Sequence, residues 1–146
     1  MYQSTKTYGH DTGLSCCFRQ WRANSHCSLT HGYALKIELT FESKTLDDRN
    51  WVMDFGGLKS IKEWLKFMFD HTTLVAKDDP HVKWYEQGEK LGILDIRIVN
   101  ATGCEATAKL IWEWVSAWLA KRNAITLRSV QVWEHEGNSA KYINPN

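Results

Sequence analysis

Cys27-Ser-Leu-Thr-His31-Gly32-Tyr33 places a thiol four residues ahead of a histidine, just before a predicted strand. That spacing can bring both groups to one strand entry. A cysteine there becomes a base or nucleophile once a cation or metal lowers its pKa. The same residues also compose an ordinary structural turn. Asp70 and His71 are adjacent; a carboxylate beside an imidazole fixes its tautomer and supports proton transfer, or the pair simply gives a helix a polar end. Glu105 falls in the first turn of a predicted helix, where a carboxylate is favoured in any case. Glu134 shares a strand face with Val130 and Val132. On a buried face it needs partners, and it can accept two hydrogen bonds from the N–H and amino edge of a guanine-like or pterin ring. A plain strand-end charge has the same sequence signature.

The elements that must position these residues follow from periodicity. Residues 33–41 alternate, with Tyr33, Leu35, Ile37, Leu39 and Phe41 on one face, and predict a strand with one wet side. A polar turn at 43–50 and a second strand at 51–55 predict a hairpin. Leu58, Ile61, Trp64, Leu65 and Met68 recur every three or four residues, an amphipathic helix ending at Phe69–Asp70. Residues 76–92 read as loop with a short helical turn, and 94–98 as a strand. A long helix after Thr102–Gly103 carries Ala108, Ile111, Trp112, Val115 and Leu119 and stops near Asn123. The last strand holds Val130, Val132 and Glu134, and a less regular first strand holds Leu14, Cys16 and Phe18. The order predicts an α+β sandwich of helices against an antiparallel sheet.

With 146 residues, the chain is expected to form one domain over 1–146. Its net charge of +1 gives no global field for nucleic acid or an anionic membrane. The first residues lack the pattern of a signal peptide, and no stretch has the run of about 18 apolar residues a membrane span needs. The four cysteines, Cys16, Cys17, Cys27 and Cys104, have no paired spacing; reduced thiols in a cytoplasmic protein are expected. The eight tryptophans are read as core and interface.

Taken in order, the motifs resemble those of the 6-pyruvoyl- and 6-carboxytetrahydropterin synthases from Phe18 onward. That family's cysteine followed by HGH appears as Cys27-SLT-His31-Gly32-Tyr33. Its DF-xx-LK run appears as Trp51-Val-Met-Asp-Phe-Gly-Gly-Leu-Lys59, and its LDHxxLN as Phe69-Asp-His-Thr-Thr-Leu-Val75. Its PTxEN helix start appears as Ala101-Thr-Gly-Cys-Glu105, and its terminal V-x-ET…Y as Val132-Trp-Glu134 and Tyr142. The resemblance implies a tunnelling fold, an antiparallel four-stranded sheet with two helices on one face. It also implies a symmetric homo-oligomer, a hexamer above all, with active sites at subunit boundaries. The substrate would be 7,8-dihydroneopterin triphosphate, in a pterin or 7-deazaguanine (queuosine precursor) route. Cys27 would be the base and Asp70 and His71 the proton relay, with Glu105 and Glu134 holding the ring.

Zinc is the family's cofactor, bound through three histidines. Here only His31 stands at a ligand position. Tyr33 replaces one ligand and Arg22 another, and arginine cannot ligate a metal. His26 and Cys17 do not stand at matching positions. A metal-free polar or anion site of Arg22, Tyr33 and His31 is therefore expected to hold phosphate or substrate hydroxyls. Three functions remain open: a lyase of the synthase type, a pterin- or purine-binding relative that has lost or changed the reaction, and a structural oligomer reusing the fold.

Overall fold

In the computed structural model, which describes residues 1–122 and 124–146, the long alternating stretch serves two sheets. β3 (His31–Ala34) pairs antiparallel with β2 (Ser15–Phe18). β4 (Lys36–Ser43) pairs antiparallel with β1 (Tyr2–Tyr8) on one side and β7 (Thr126–His135) on the other. Only Leu35 separates β3 from β4, and its N–H donates to the Leu14 carbonyl at 3.0 Å. The alternation therefore runs through while the pairing partners change. Leu35, Ile37, Leu39 and Phe41 are all buried.

β8 (Asn138–Ile143) completes the first sheet, order β1-β4-β7-β8, antiparallel throughout. The second sheet, order β3-β2-β5-β6, adds β5 (Thr72–Ala76) and β6 (Ile96–Val99), both parallel to β2. Across the first sheet Ile37 faces Val132, Leu39 faces Val130 and Phe41 faces Leu127, so one face is a continuous apolar surface.

Helix α3 (Cys104–Ala120) lies on that face over β7 and β8, burying Ala108, Ile111, Val115 and Leu119. Helix α1 (Lys59–Phe69) buries Ile61, Leu65 and Phe69, and its Trp64 stacks on Trp114 of α3 with ring centroids 4.5 Å apart. Each such side chain contributes about 1.5–3 kcal/mol on burial. An antiparallel four-stranded sheet with two helices on one face is the α+β tunnelling fold. The second sheet and a third helix, α2 (Val82–Lys90), extend it.

Two expectations need correction. The chain over 76–92 contains α2 rather than only a loop. Residues 51–55 form no strand and no hairpin. The Asp47 carboxylate accepts the N–H groups of Arg49 and Trp51 at 2.8 and 2.9 Å, satisfying donors that a ladder would have used. Asp54 then caps the 3-10 turn Phe55–Gly57. The expected stop near Asn123 lies outside the described residues. Among the described residues no helix is long and apolar enough to cross a membrane.

Just past β2, Arg19 forms a two-pronged ion pair with Asp79 at 2.8 and 2.7 Å, and the Asp79 side chain is only 2% exposed. The guanidinium bonds hold the Asp79 carboxyl below its ordinary pKa against the opposing effect of burial. A depressed carboxylate contributes stability that is complete above its unfolded pKa of about 3.9 and is lost as pH falls through the lower folded value. Asp79→Ala strands the guanidinium and is expected to lower the unfolding free energy by about 3–5 kcal/mol. Urea titrations measure this, and in Asp79→Asn the loss of stability below about pH 4 should be shallower than in wild type. An unchanged urea midpoint in Asp79→Ala would show that the pair does not hold the fold.

Candidate functional site

The chain leaves β2 at Phe18 and returns in β3 at His31, so everything between is a crossing loop. Its tip is the 3-10 turn His26–Ser28, where the Ser25 hydroxyl accepts the Cys27 N–H at 3.3 Å. Two residues at the loop's root hold that turn. The Gln20 N–H donates to the Cys27 carbonyl at 2.9 Å, and Arg19 donates to the Ser28 carbonyl at 3.3 Å. The same pair reaches the start of α3. Gln20 Nε2 donates to the Thr102 carbonyl at 3.1 Å, while the Thr102 hydroxyl donates to the Arg19 carbonyl at 2.7 Å. Gly103 is required at this join: its φ is +108°, and a Cβ would sit 2.1 Å from Gln20 Nε2. The Cys27 turn and the α3 N-terminus are thus tied to one anchor.

Register then supplies the neighbours. Phe18 lies opposite His31 and Cys16 opposite Tyr33. The rings of Phe18, His31 and Tyr33 lie 5.2–6.1 Å apart, and His135 at the end of β7 lies 6.4 Å from Tyr33. Glu134 is the next residue back along β7 from His135. Burial above all, then the Glu134 carboxylate and the thiols of Cys27 and Cys104, raises the Tyr33 pKa. The phenol therefore keeps its proton at neutral pH. Cys27, Tyr33 and Glu134, three of the residues singled out by sequence, stand together.

Cys104 is the site residue that sequence reasoning missed. It is the first residue of α3 and 7% exposed, within the field of the Glu134 carboxylate. Burial first, then Glu134 and Glu105, pushes its thiol up to about 12. Glu105, expected to hold the ring, is exposed beside it. The motif carried the signal: matched letter for letter, PTxEN puts its Glu on Cys104 and its Asn on Glu105.

Asp70 and His71 lie beyond the opposite end of β2. His71 donates its backbone N–H to the Ser15 carbonyl at 2.7 Å, about 10 Å of strand away from Phe18. Its Nδ1 donates to Asp70 at 2.5 Å, which leaves Nε2 free, and its side chain is 90% exposed. The backbone φ of +59° is left-handed, an uncommon conformation for histidine that presents the ring outward. Among the described residues no hydrogen bond joins this pair to Cys27.

Arg22 turns elsewhere. It pairs with Asp78 at 3.1 Å and lies over the Trp21 ring at 4.2 Å, so the expected trio has only Tyr33 and His31 in contact. His31 donates Nδ1 to the Leu29 carbonyl at 2.6 Å, which leaves one free nitrogen. His26 is exposed, and Cys17 bonds Thr73 at 3.2 Å. Among the described residues no three His, Cys, Asp or Glu side chains are grouped to hold a metal ion. This donor set does not fit the tetrahedral three-ligand zinc of catalytic sites. All four cysteines are free thiols. A cleft of about 390 Å³ lined by Asp47, Arg49, Trp118 and Arg122 lies at the far end of α3, and the site stands apart from it.

Comparison with known proteins addresses family and fold. The family model described as 6-pyruvoyl tetrahydropterin synthase matches residues 9–145. A 6-carboxy-5,6,7,8-tetrahydropterin synthase of Aquifex aeolicus (strain VF5) is 25% identical over 147 residues, covering 97% of this chain and 88% of that protein. Among solved structures, an uncharacterized protein from Wolinella succinogenes superposes with a TM-score of 0.85 at 19% identity over 98% of each chain. The 6-pyruvoyl tetrahydropterin synthase of Caenorhabditis elegans superposes with a TM-score of 0.63 at 14% identity, over 98% of this chain and 94% of that one. These two likenesses are of fold. By the family match across nearly its whole length, this chain belongs to the 6-pyruvoyl tetrahydropterin synthase family.

Proposed function

We propose that the protein is a carbon–oxygen lyase of the tetrahydropterin synthase type acting on 7,8-dihydroneopterin triphosphate, in a pterin or 7-deazaguanine precursor route. It works as a cytoplasmic homo-oligomer, with a hexamer favoured. The observation that carries this reading is the meeting of Cys27, Tyr33 and Glu134 at one locus in a chain of this family. Glu134 accepts hydrogen bonds from the N–H and amino edge of the ring. Cys27 takes a proton from the ring's side chain, the freed electron pair moves into that chain, and the C–O bond to triphosphate breaks. The neutral Tyr33 hydroxyl donates toward substrate oxygen, next to His31. No step is assigned to zinc, because the donor set does not fit it.

His71 Nε2 is exposed, at the end of β2 opposite the root of the Cys27 loop, and in this reading the Asp70–His71 relay serves the Cys27 of a neighbouring subunit. Glu105 stands at the site's rim, and Arg22 is held by Asp78 outside it. A second reading, a pterin- or purine-binding protein that has lost or changed the reaction, is favoured by the missing zinc donors alone.

Incubation with 7,8-dihydroneopterin triphosphate should release triphosphate, and Cys27→Ala should slow that release about 10²–10⁴-fold. No release by wild type, with ring binding that Glu134→Ala abolishes, would establish the binding-protein reading instead. Cys27→Ala and His71→Ala oligomers, inactive separately, should regain activity when dissociated and reassembled together; continued inactivity would place base and relay in the same subunit. Protein purified without added zinc should contain well under one zinc per chain by elemental analysis, and a stoichiometric content would restore the metal to the site.

A further inference from the structure

The β7–β8 hairpin is irregular at its tip. Trp133 faces Ser139 and His135 faces Asn138, so Glu134 is one residue too many for the ladder. Such a bulge bends the strand and re-aims the side chains beside it. Without it, His135 would follow Gln131 and Trp133 onto the other face of the sheet, away from Glu134. Instead its ring stands 6.4 Å from that of Tyr33. The turn holds it there. The Gly137 N–H donates to His135 Nδ1 at 3.0 Å, and a Cβ on Gly137 would come within 3.0 Å of the ring. Glu136, the other turn residue, lies 3.1 Å from His10 Nε2 and 3.6 Å from Lys36 Nζ. An Nδ1 that accepts carries no proton, so the neutral ring bears it on Nε2. Among the described residues that N–H meets no acceptor.

We propose that His135 is a specificity-determining residue of the site: its Nε2–H donates to the 4-oxo oxygen of the bound ring, selecting 2-amino-4-oxo rings over 4-amino ones. The inference rests on the proposed role of Glu134 as ring anchor. On such a ring the 2-amino group, the N3–H and the 4-oxo oxygen follow one another along a single edge. The first two donate and suit a carboxylate. The third accepts, and needs a donor next to that carboxylate. Glu134 and His135 are consecutive, and the bulge lets consecutive residues serve one side of the strand. A 4-amino ring turns its own N–H groups toward the imidazole N–H and leaves both unpaired, a loss of about tenfold. The bond to Nδ1 makes the preference directional. A neutral ring cannot offer a lone pair on Nε2 without giving up the Gly137 N–H.

Two measurements on the intact protein test this. The first needs no ligand. Long-range nitrogen–proton NMR spectra at about pH 8, above the ordinary imidazole range, should show His135 protonated on Nε2 and bare on Nδ1. Its signals are the ones lost in His135→Phe. A proton on Nδ1 overturns the inference, whatever the protein binds. The second is fluorescence titration with pterin and with 2,4-diaminopteridine, which carry oxygen and nitrogen at position 4. Wild type should prefer pterin. His135→Phe, which keeps a ring beside Tyr33 but no N–H, should lose about tenfold of that preference. His135→Gln, whose amide still donates, should retain most of it. Equal weakening of both rings in His135→Phe marks a merely structural role and overturns the inference, as does a wild type with no preference. If Glu134→Gln binds neither ring while His135→Phe keeps the full preference, the ring anchor stands and the role of His135 falls. If wild type binds neither ring, both fall together.

Discussion

The Arg19–Asp79 pair is the constraint on which the site's geometry depends. Removing two charges from water costs several kcal/mol, and only a fork-on-carboxylate geometry with further hydrogen bonds offsets it. Asp79 meets that condition, accepting both guanidinium arms and the His81 N–H at 2.8 Å. Because the pair forms in one way only, the chain leaves β2 in one direction. Arg19 and Gln20 then have their carbonyl, amide and side-chain groups where the Cys27 turn and the start of α3 need them. Nothing in the loop from 20 to 30 is buried deeply enough to hold it by apolar packing. Its order comes from these polar ties.

The site they assemble has an unusual charge balance. Tyr33 faces one carboxylate and two thiols, with no cation among the groups acting on it. A metal would reverse that balance, since a bound divalent ion is the largest local charge and drags neighbouring pKa values down. Here Tyr33 and Cys104 instead keep their protons. In the proposed mechanism, acid–base work is left to Cys27 and, across a subunit boundary, to the imidazole of His71.

What was legible in the sequence was what alternates or recurs. The inner face of β4 and the stripes of α1 and α3 carry a strong apolar period, and each formed as expected. β5 was missed because all five of its residues are buried, so no alternation marks it, as is usual for a parallel strand covered on both faces. β1 and β8 were missed for the opposite reason. They are the two edges of their sheet, mostly polar on both sides, and β1 buries only Tyr8. At 51–55 an aspartate side chain outcompeted the ladder for backbone donors, a contest that hydropathy does not register. Of the candidate site, Cys27 and Glu134 stand out by type and position, and Tyr33 only through the resemblance to the family's HGH. Cys104 was hidden by its neighbour, because Glu105 has the more conspicuous chemistry while adjacent helix residues point about 100° apart.

The junction at Leu35 has a consequence for how this chain can change over time. Most connections between strands carry slack, and slack absorbs an inserted or deleted residue. Between β3 and β4 there is one residue and no loop. A single insertion there would turn every later side chain of β4 over, sending Ile37, Leu39 and Phe41 outward and Glu38 and Thr40 into the core. The distance from His31 to Phe41 is therefore a frozen dimension of the molecule. Variation can exchange the side chains at 31 and 33, and with them the chemistry, but it cannot change the spacing at which they are delivered.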